Sequence, residues 1–341
     1  MPATQASQHN CPRAHSPAFH ARDLRHFARR SAPWLSLILG LGSAFWMDRS
    51  PQRAPLFAAA AVFAAPSLML LRHAARHREG SRSGTILAWL GVASAQSLAQ
   101  AALLFALPLH VASADPTIGQ AVYLLCALTT ALVTLWDPLW SAIAARPWAV
   151  ALHLGIAATV ALQATLPFLG LGSERALAVG AGMGTLAAWA SLFGAGGWRI
   201  PARYTVAQLV ALPLLLSGGP LAAMVPASPL RLGEAVLARA VEDRTPVGRV
   251  AQGALPARVA CFTPILGPAG VHEALRHVWL VDGAVVQRTL LPVRTGRRHG
   301  FRTWSYFRTA RVPAGADLRC RVETAAGQRL GEVAPLATPA P

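Results

Sequence analysis

The chain has 341 residues, of which 54% are hydrophobic and only 13% charged. A soluble domain usually carries about 25% charged residues, so this balance argues against an ordinary soluble protein and points to a membrane protein. The net charge of +17 rests entirely on Arg, with no Lys. It is spread over tail, loops and C-terminal part, without the basic helix or aromatic-spaced strand of a nucleic-acid binder, so no nucleic-acid partner is expected.

Residues 1–32 are polar and basic, with Arg13, Arg22, Arg25, Arg29 and Arg30 against Asp23. They read as a disordered or interfacial cytoplasmic tail. This polar lead is too long for the n-region of a cleavable signal peptide, so the first apolar run is expected to stay as an anchor. Residues 33–225 then hold seven apolar runs: Pro33–Met47, Ala54–Leu71, Thr85–Val111, Thr117–Trp136, Trp148–Leu166, Ala176–Phe193 and Tyr204–Val225. A bilayer core takes roughly 20 residues of helix, so the first run is short and the third long enough to tilt. In hydrocarbon the backbone must satisfy its own hydrogen bonds, which makes these runs helices.

Loop charge gives an orientation. The tail and alternate loops carry twelve Arg, including Arg72, Arg76, Arg78, Arg82, Arg146, Arg199 and Arg203; the other loops carry three, Arg49, Arg53 and Arg175. The positive-inside rule then places the N-terminus in the cytoplasm, and seven spans place the C-terminal part in the periplasm. Gln96 and Gln100 share a helix face, and Gln163 and Gln208 sit in other runs. Hydrogen bonds between helices account for such residues. No Asp, Glu or Arg lies mid-span, which disfavours an ion-coupled pump. Gly180 and Gly184 have the spacing that lets helices approach closely.

From Ala227 the composition changes: sixteen Arg and eight acidic residues fall between Arg231 and Pro341. A linker, 226–235, leads into a β region, 236–333, followed by a polar tail, 334–341. The strands expected are Val236–Glu242, Arg258–Thr263, Leu275–Val281, Val285–Val293, Phe301–Arg308, Leu318–Thr324 and Arg329–Val333. Asp282-Gly283 and Ala326-Gly327 fall where hairpin turns belong. Leu318, Cys320 and Val322 alternate with Arg319, Arg321 and Glu323, the pattern of a half-buried strand. The fold class expected is a polytopic α-helical membrane region followed by an all-β immunoglobulin-like sandwich.

Several pieces of this β region occur together and in order. They are Cys261-Phe262-Thr263, His277-Val278-Trp279, Asp282-Gly283, the run Arg297-Arg298-His299-Gly300-Phe301-Arg302-Thr303-Trp304-Ser305, and Arg321-Val322-Glu323-Thr324 before Gly327-Gln328. On these residues the region resembles the bacterial family of domains of unknown function DUF2914, over roughly Val236 to Val333. The multi-span half is similar in arrangement to the membrane region that accompanies that domain. Leu318 and Tyr306 depart from the pattern, where the resemblance implies Trp and Lys. The resemblance implies no activity.

Candidate sites follow from residue chemistry. His277 and Trp279, two apart on a strand, share a face; they form either an aromatic platform for a sugar or peptide, or a core Trp with a buried His beside it. Arg297, Arg298 and Arg302 are either a site for carboxylate or phosphate, or a solvated face; Trp304 shares a face with Arg302 and is available for stacking. Cys261 and Cys320 are candidates for a bridge across the sandwich in an oxidising compartment, or else two buried thiols. His272, Glu273, His277 and His299 match no zinc spacing, so no metal and no cofactor are expected. Ser305, His277 and Asp282 have the residue types of a triad but no nucleophile elbow.

The function expected is non-catalytic binding or scaffolding at the envelope by an inner-membrane protein. His277, Trp279, Arg298, Arg302 and Trp304 are the expected contacts to glycan, anionic polymer or a partner protein. The bilayer is the other partner, and the helical half is a candidate for self-association. Two other classes stay open: a membrane enzyme acting on a lipid-linked or envelope substrate, and an uncoupled transporter or channel with an extracytoplasmic cap.

Overall fold

The computed structural model describes residues 38, 51–193, 221–252, 255–296, 299–313 and 315–336. The tail 1–32, the run Pro33–Met47 apart from Ile38, most of the run Tyr204–Val225, and Cys11, Arg297 and Arg298 lie outside the described residues. Six α-helices follow in order: α1 (Ala54–Arg76), α2 (Arg82–Ser113), α3 (Ile118–Leu135), α4 (Asp137–Ala144), α5 (Pro147–Thr165) and α6 (Ser173–Phe193). Four stretches, Ala54–Arg76, Arg82–Ser113, Ile118–Leu135 and Pro147–Leu169, are long and apolar enough to cross a membrane. Local chemistry sets their starts. Ser81 Oγ accepts from the Gly84 amide and Thr117 Oγ1 from the Gln120 amide, each satisfying an orphan N–H of a first turn. Helices α1, α4 and α5 open on Pro, which lacks the N–H that would be orphaned there.

Small residues bring the helices together. A Cβ on Gly184 of α6 would lie 1.9 Å from Thr159 Oγ1 and 2.6 Å from the Gly155 carbonyl of α5, so only Gly allows this crossing. Phe57 of α1 stacks on Phe105 of α2 with ring centroids 4.4 Å apart. Gln96 of α2 donates to the Thr134 carbonyl and to Asp137 Oδ1, tying α2 to the end of α3. These are bonds between helices, as the residue type suggests.

The helices run alternately up and down, so their ends fall into two groups. At one end lie the α1–α2 turn and the α4–α5 corner, where the Arg72 guanidinium donates to the Ala144 carbonyl. Arg76, Arg78 and Pro147 line a shallow groove there with Arg72. At the other end lie the last residues of α2 and the first of α3 and α6, and here the β domain is seated.

The described residues of the domain form nine strands: β1 (Arg231–Leu232), β2 (Val236–Glu242), β3 (Thr245–Arg249), β4 (Arg258–Leu266), β5 (His272–Val281), β6 (Ala284–Arg294), β7 (Phe301–Arg308), β8 (Leu318–Thr324) and β9 (Arg329–Val333). One antiparallel sheet has β4 at its centre, paired with β7 on one edge and with β2 and β1 on the other; β3 extends it beyond β2. The second runs β6-β5-β8-β9. Strands β1 and β3 are additions to the strands read from the sequence. The two sheets face each other across a disulfide, Cys261 of β4 to Cys320 of β8, with Cα atoms 6.4 Å apart. Trp279 of β5 packs beside it in the same core cluster, its ring stacked on Phe307 at 5.2 Å. A bridge between the two sheets, here β4 to β8, with a buried Trp packed against it from β5, is the arrangement of an immunoglobulin-like sandwich. A parallel bridge, Ala251 with Leu336, closes the side away from β6 and β7.

Candidate functional site

Alternation puts His277 and Trp279 on one face of β5, and that face is the interior. Both are 0% exposed, so they present no platform to a sugar or peptide, and the expected ligand contact is corrected to a core role. The physical reason is the register: Trp279 stands opposite Cys320 and His277 opposite Val322, both facing the other sheet. The polar atoms are satisfied internally. His277 Nε2 bonds Thr263 Oγ1 at 2.8 Å and its Nδ1 bonds Ser305 Oγ at 2.9 Å. Trp279 Nε1 donates to the same Ser305 Oγ at 3.2 Å, and Thr263 continues the chain to Thr303 Oγ1 at 2.7 Å. Burial pushes the His277 imidazole down to about 4, so it is neutral at physiological pH. The network pins β4, β5 and β7 together, and no reactive group of it reaches the surface.

Cys261, His277 and Cys320 bring their donor atoms within 4.8 Å of one another. With the bridge formed neither sulfur is a thiolate, the form that ligates metal. Arg302 is exposed, and its guanidinium donates to the Arg244 carbonyl at the tip of the β2–β3 hairpin, 3.2 Å away. Trp304 is half-buried on the outer face of the first sheet, opposite Phe262. Arg302 and Trp304 are thus on one face and apart from His277 and Trp279, so the four expected ligand residues that are described do not form one site.

The junction between sandwich and helices is a polar site that sequence spacing does not reveal. Arg329 Nε lies 2.6 Å from Asp115 Oδ2, just beyond the end of α2, and its Nη2 lies 3.0 Å from Glu332. Gln120, buried in the first turn of α3, donates to the Arg329 carbonyl at 2.9 Å and accepts from the Asp115 amide at 2.7 Å. Glu273 of β5 accepts from the Ser173 amide at 2.6 Å, so a strand carboxylate caps α6 where the helix dipole favours negative charge. Burial pushes the Glu273 carboxyl up, and the Ser173 amide opposes this. Leu177, Ala222, Val225 and Ala326 form an apolar cluster alongside. Just inside the bundle, Tyr123 Oη donates to Gln163 Oε1 at 2.7 Å, and His110 Nε2 meets the Val160 carbonyl at 3.0 Å. A His inside an otherwise apolar run was the signal for this last group.

Residues 17–257 match the family of unknown function DUF5924. The chain belongs to that family. Residues 272–334 match the protein of unknown function DUF2914, the family that the sequence motifs resemble, over a shorter stretch than the expected Val236 to Val333 and without Cys261-Phe262-Thr263. No curated protein and no solved structure matches. The DUF5924 match ends inside the sandwich, after β3, and the DUF2914 match opens at β5. Strand β4 lies between the two matches, and it pairs with β1 and β2 of the first and with β7 of the second. In this DUF5924 chain the sandwich is therefore one fold shared by both matched regions.

Proposed function

We propose that this DUF5924 protein is an inner-membrane protein that presents its sandwich on the extracytoplasmic side for non-catalytic binding or scaffolding at the envelope. The observation that carries this is the charge of the two bundle ends. Arg72, Arg76, Arg78, Arg82 and Arg146 gather at the end opposite the sandwich, whereas the sandwich end holds Asp115, Glu174 and Glu273 with Arg53 and Arg175. Short basic loops stay in the cytoplasm, so the sandwich end faces out. The buried disulfide supports the same side, because such bonds persist in oxidising compartments. Binding rather than catalysis is supported by the sealing of His277, Ser305 and Thr263 inside the core, out of reach of any substrate. The test is a pair of fusions after Pro341, alkaline phosphatase and green fluorescent protein. An active phosphatase with a dark fluorophore is expected; an inactive phosphatase with a bright fluorophore would reverse the orientation and end the extracytoplasmic reading.

A further inference from the structure

The outer edge between β6 and β7 carries a groove that none of the expected site residues lines, among those described. It has a volume of about 860 Å³ and is lined by Arg258, Tyr306, Arg308, Val281, Val286 and Gln287, among others. The Arg258 guanidinium lies over the Tyr306 ring, 3.6 Å from its centroid. Stacking holds the guanidinium plane in place while leaving its N–H edge free for an oxyanion. Arg308 stands directly opposite Arg258 in the β4–β7 register, and both are exposed. Like charges facing each other across strands destabilise a sheet. Among the described residues no carboxylate pairs with either, although Arg249, Arg319, Arg321 and Arg329 all have one. Gln287 is already engaged, donating to Thr289 Oγ1 and to the Tyr306 carbonyl, and so fixes the groove wall. The floor is apolar, with Val286 half out in solvent.

The groove also has a definite place. Strand β5 runs from Glu273, at the α6 cap, to Val281, in the groove wall. At about 3.4 Å per residue Val281 stands roughly 27 Å along the strand from the Glu273 contact with α6, so the groove is well separated from the junction.

We propose that this groove binds a carboxylated glycan, with Arg258 and Arg308 on the carboxylates and the apolar floor against the C–H faces of the sugar rings. The inference rests on the binding reading above and names its ligand class. Polygalacturonate is the probe, with polyphosphate, neutral dextran and phosphatidylglycerol vesicles as the other arms, each titrated against the full chain in detergent or, for vesicles, in nanodiscs. Saturable binding of polygalacturonate is expected, weakened at least tenfold by Arg258→Gln with Arg308→Gln and within twofold of wild type for Arg276→Gln with Arg288→Gln on the other sheet. Urea midpoints of the variants report that the fold is kept. The inference is overturned by absence of saturable binding, by equal loss in both double variants, or by binding of polyphosphate or vesicles without polygalacturonate. These assays do not depend on which side of the membrane the domain occupies. Binding with a reversed fusion result would leave the groove standing and end the extracytoplasmic reading alone.

Discussion

Removal of the Cys261–Cys320 bridge should cost the sandwich about 4 kcal/mol. The bond joins residues 59 apart in sequence. Closing a loop of that length in the unfolded chain removes about 14 cal/mol/K, hence about 4 kcal/mol at 25 °C. Domains of this size are stable by about 5–15 kcal/mol, so the loss is a large part of the whole. Both sulfurs are buried in the cluster of Leu237, Val259, Trp279 and Val333, so the double variant Cys261→Ala with Cys320→Ala adds a small packing defect to the entropic loss. Pulse proteolysis of the full chain in detergent, across a urea series, reads the sandwich without requiring the helices to unfold. With a urea slope of about 1.5 kcal/mol/M the midpoint should fall by roughly 2–3 M, in the double variant and in reduced wild type alike. A shift below about 0.5 M would refute the argument. So would full alkylation of both cysteines in denatured, unreduced protein, since the bond would then not be formed.

Two further outcomes follow from buried charge. Because burial holds His277 neutral down to about 4 in the fold, whereas an unfolded His titrates near 6.5, the unfolded chain binds the extra proton between those values. The stability tied to this residue is therefore complete above pH 6.5, falls by about 3 kcal/mol as the pH drops toward 4, and changes no further below that. His277→Gln should lower the urea midpoint at pH 7.5 yet flatten its decline toward pH 4.5; an undiminished decline in the variant would assign it to other groups. At the junction, Arg329→Met leaves the Asp115 carboxylate, mostly buried, without its cation and should weaken docking by about 3 kcal/mol. Hydrogen exchange at the amides of Ile118–Tyr123 should then accelerate, and adding Asp115→Asn should restore much of the protection.

The strands legible in the sequence were those with one wet face. In β8, Leu318, Cys320 and Val322 point in while Arg319 and Arg321 point out, and its ends fall where the alternation places them. Strand β3 was not legible, for two reasons. Its hairpin turns on Asp243 and Arg244 at φ 46° and 61°, conformations that usually call for Gly or Asn, and Pro246 reads as a breaker although an edge strand tolerates it. The interior face of β5 was hidden for a different reason. Val278 and Leu280 on its outer face are buried as well, opposite Arg321 and Arg319, whose aliphatic stems can cover apolar surface. With both faces apolar, a period of two does not say which one faces the opposite sheet, and so the placement of His277 and Trp279 needed the pairing with β8. The Asp115–Arg329 contact joins parts of the chain with no shared pattern, and only the fold brings them together.

The junction decides where a ligand can meet this domain. A sandwich on a free tether could turn its basic edge toward the bilayer. Here the Gln328 side chain donates to the Pro226 carbonyl at 3.1 Å, and Glu273 and Arg329 hold α6 and the end of α2 from the sandwich side. The pole that meets the helices is therefore occupied, and the Ala251–Leu336 bridge ties one long side. On the outer face of the second sheet, Arg319 and Arg321 are already neutralised by Asp317 and Glu332. At the corner of the first sheet, Arg258 and Arg308 face each other across strands, and among the described residues neither is paired with a carboxylate. An anion bound between those two guanidiniums would relieve their repulsion, which is why the proposed ligand is placed there and not on the neutralised face of β8.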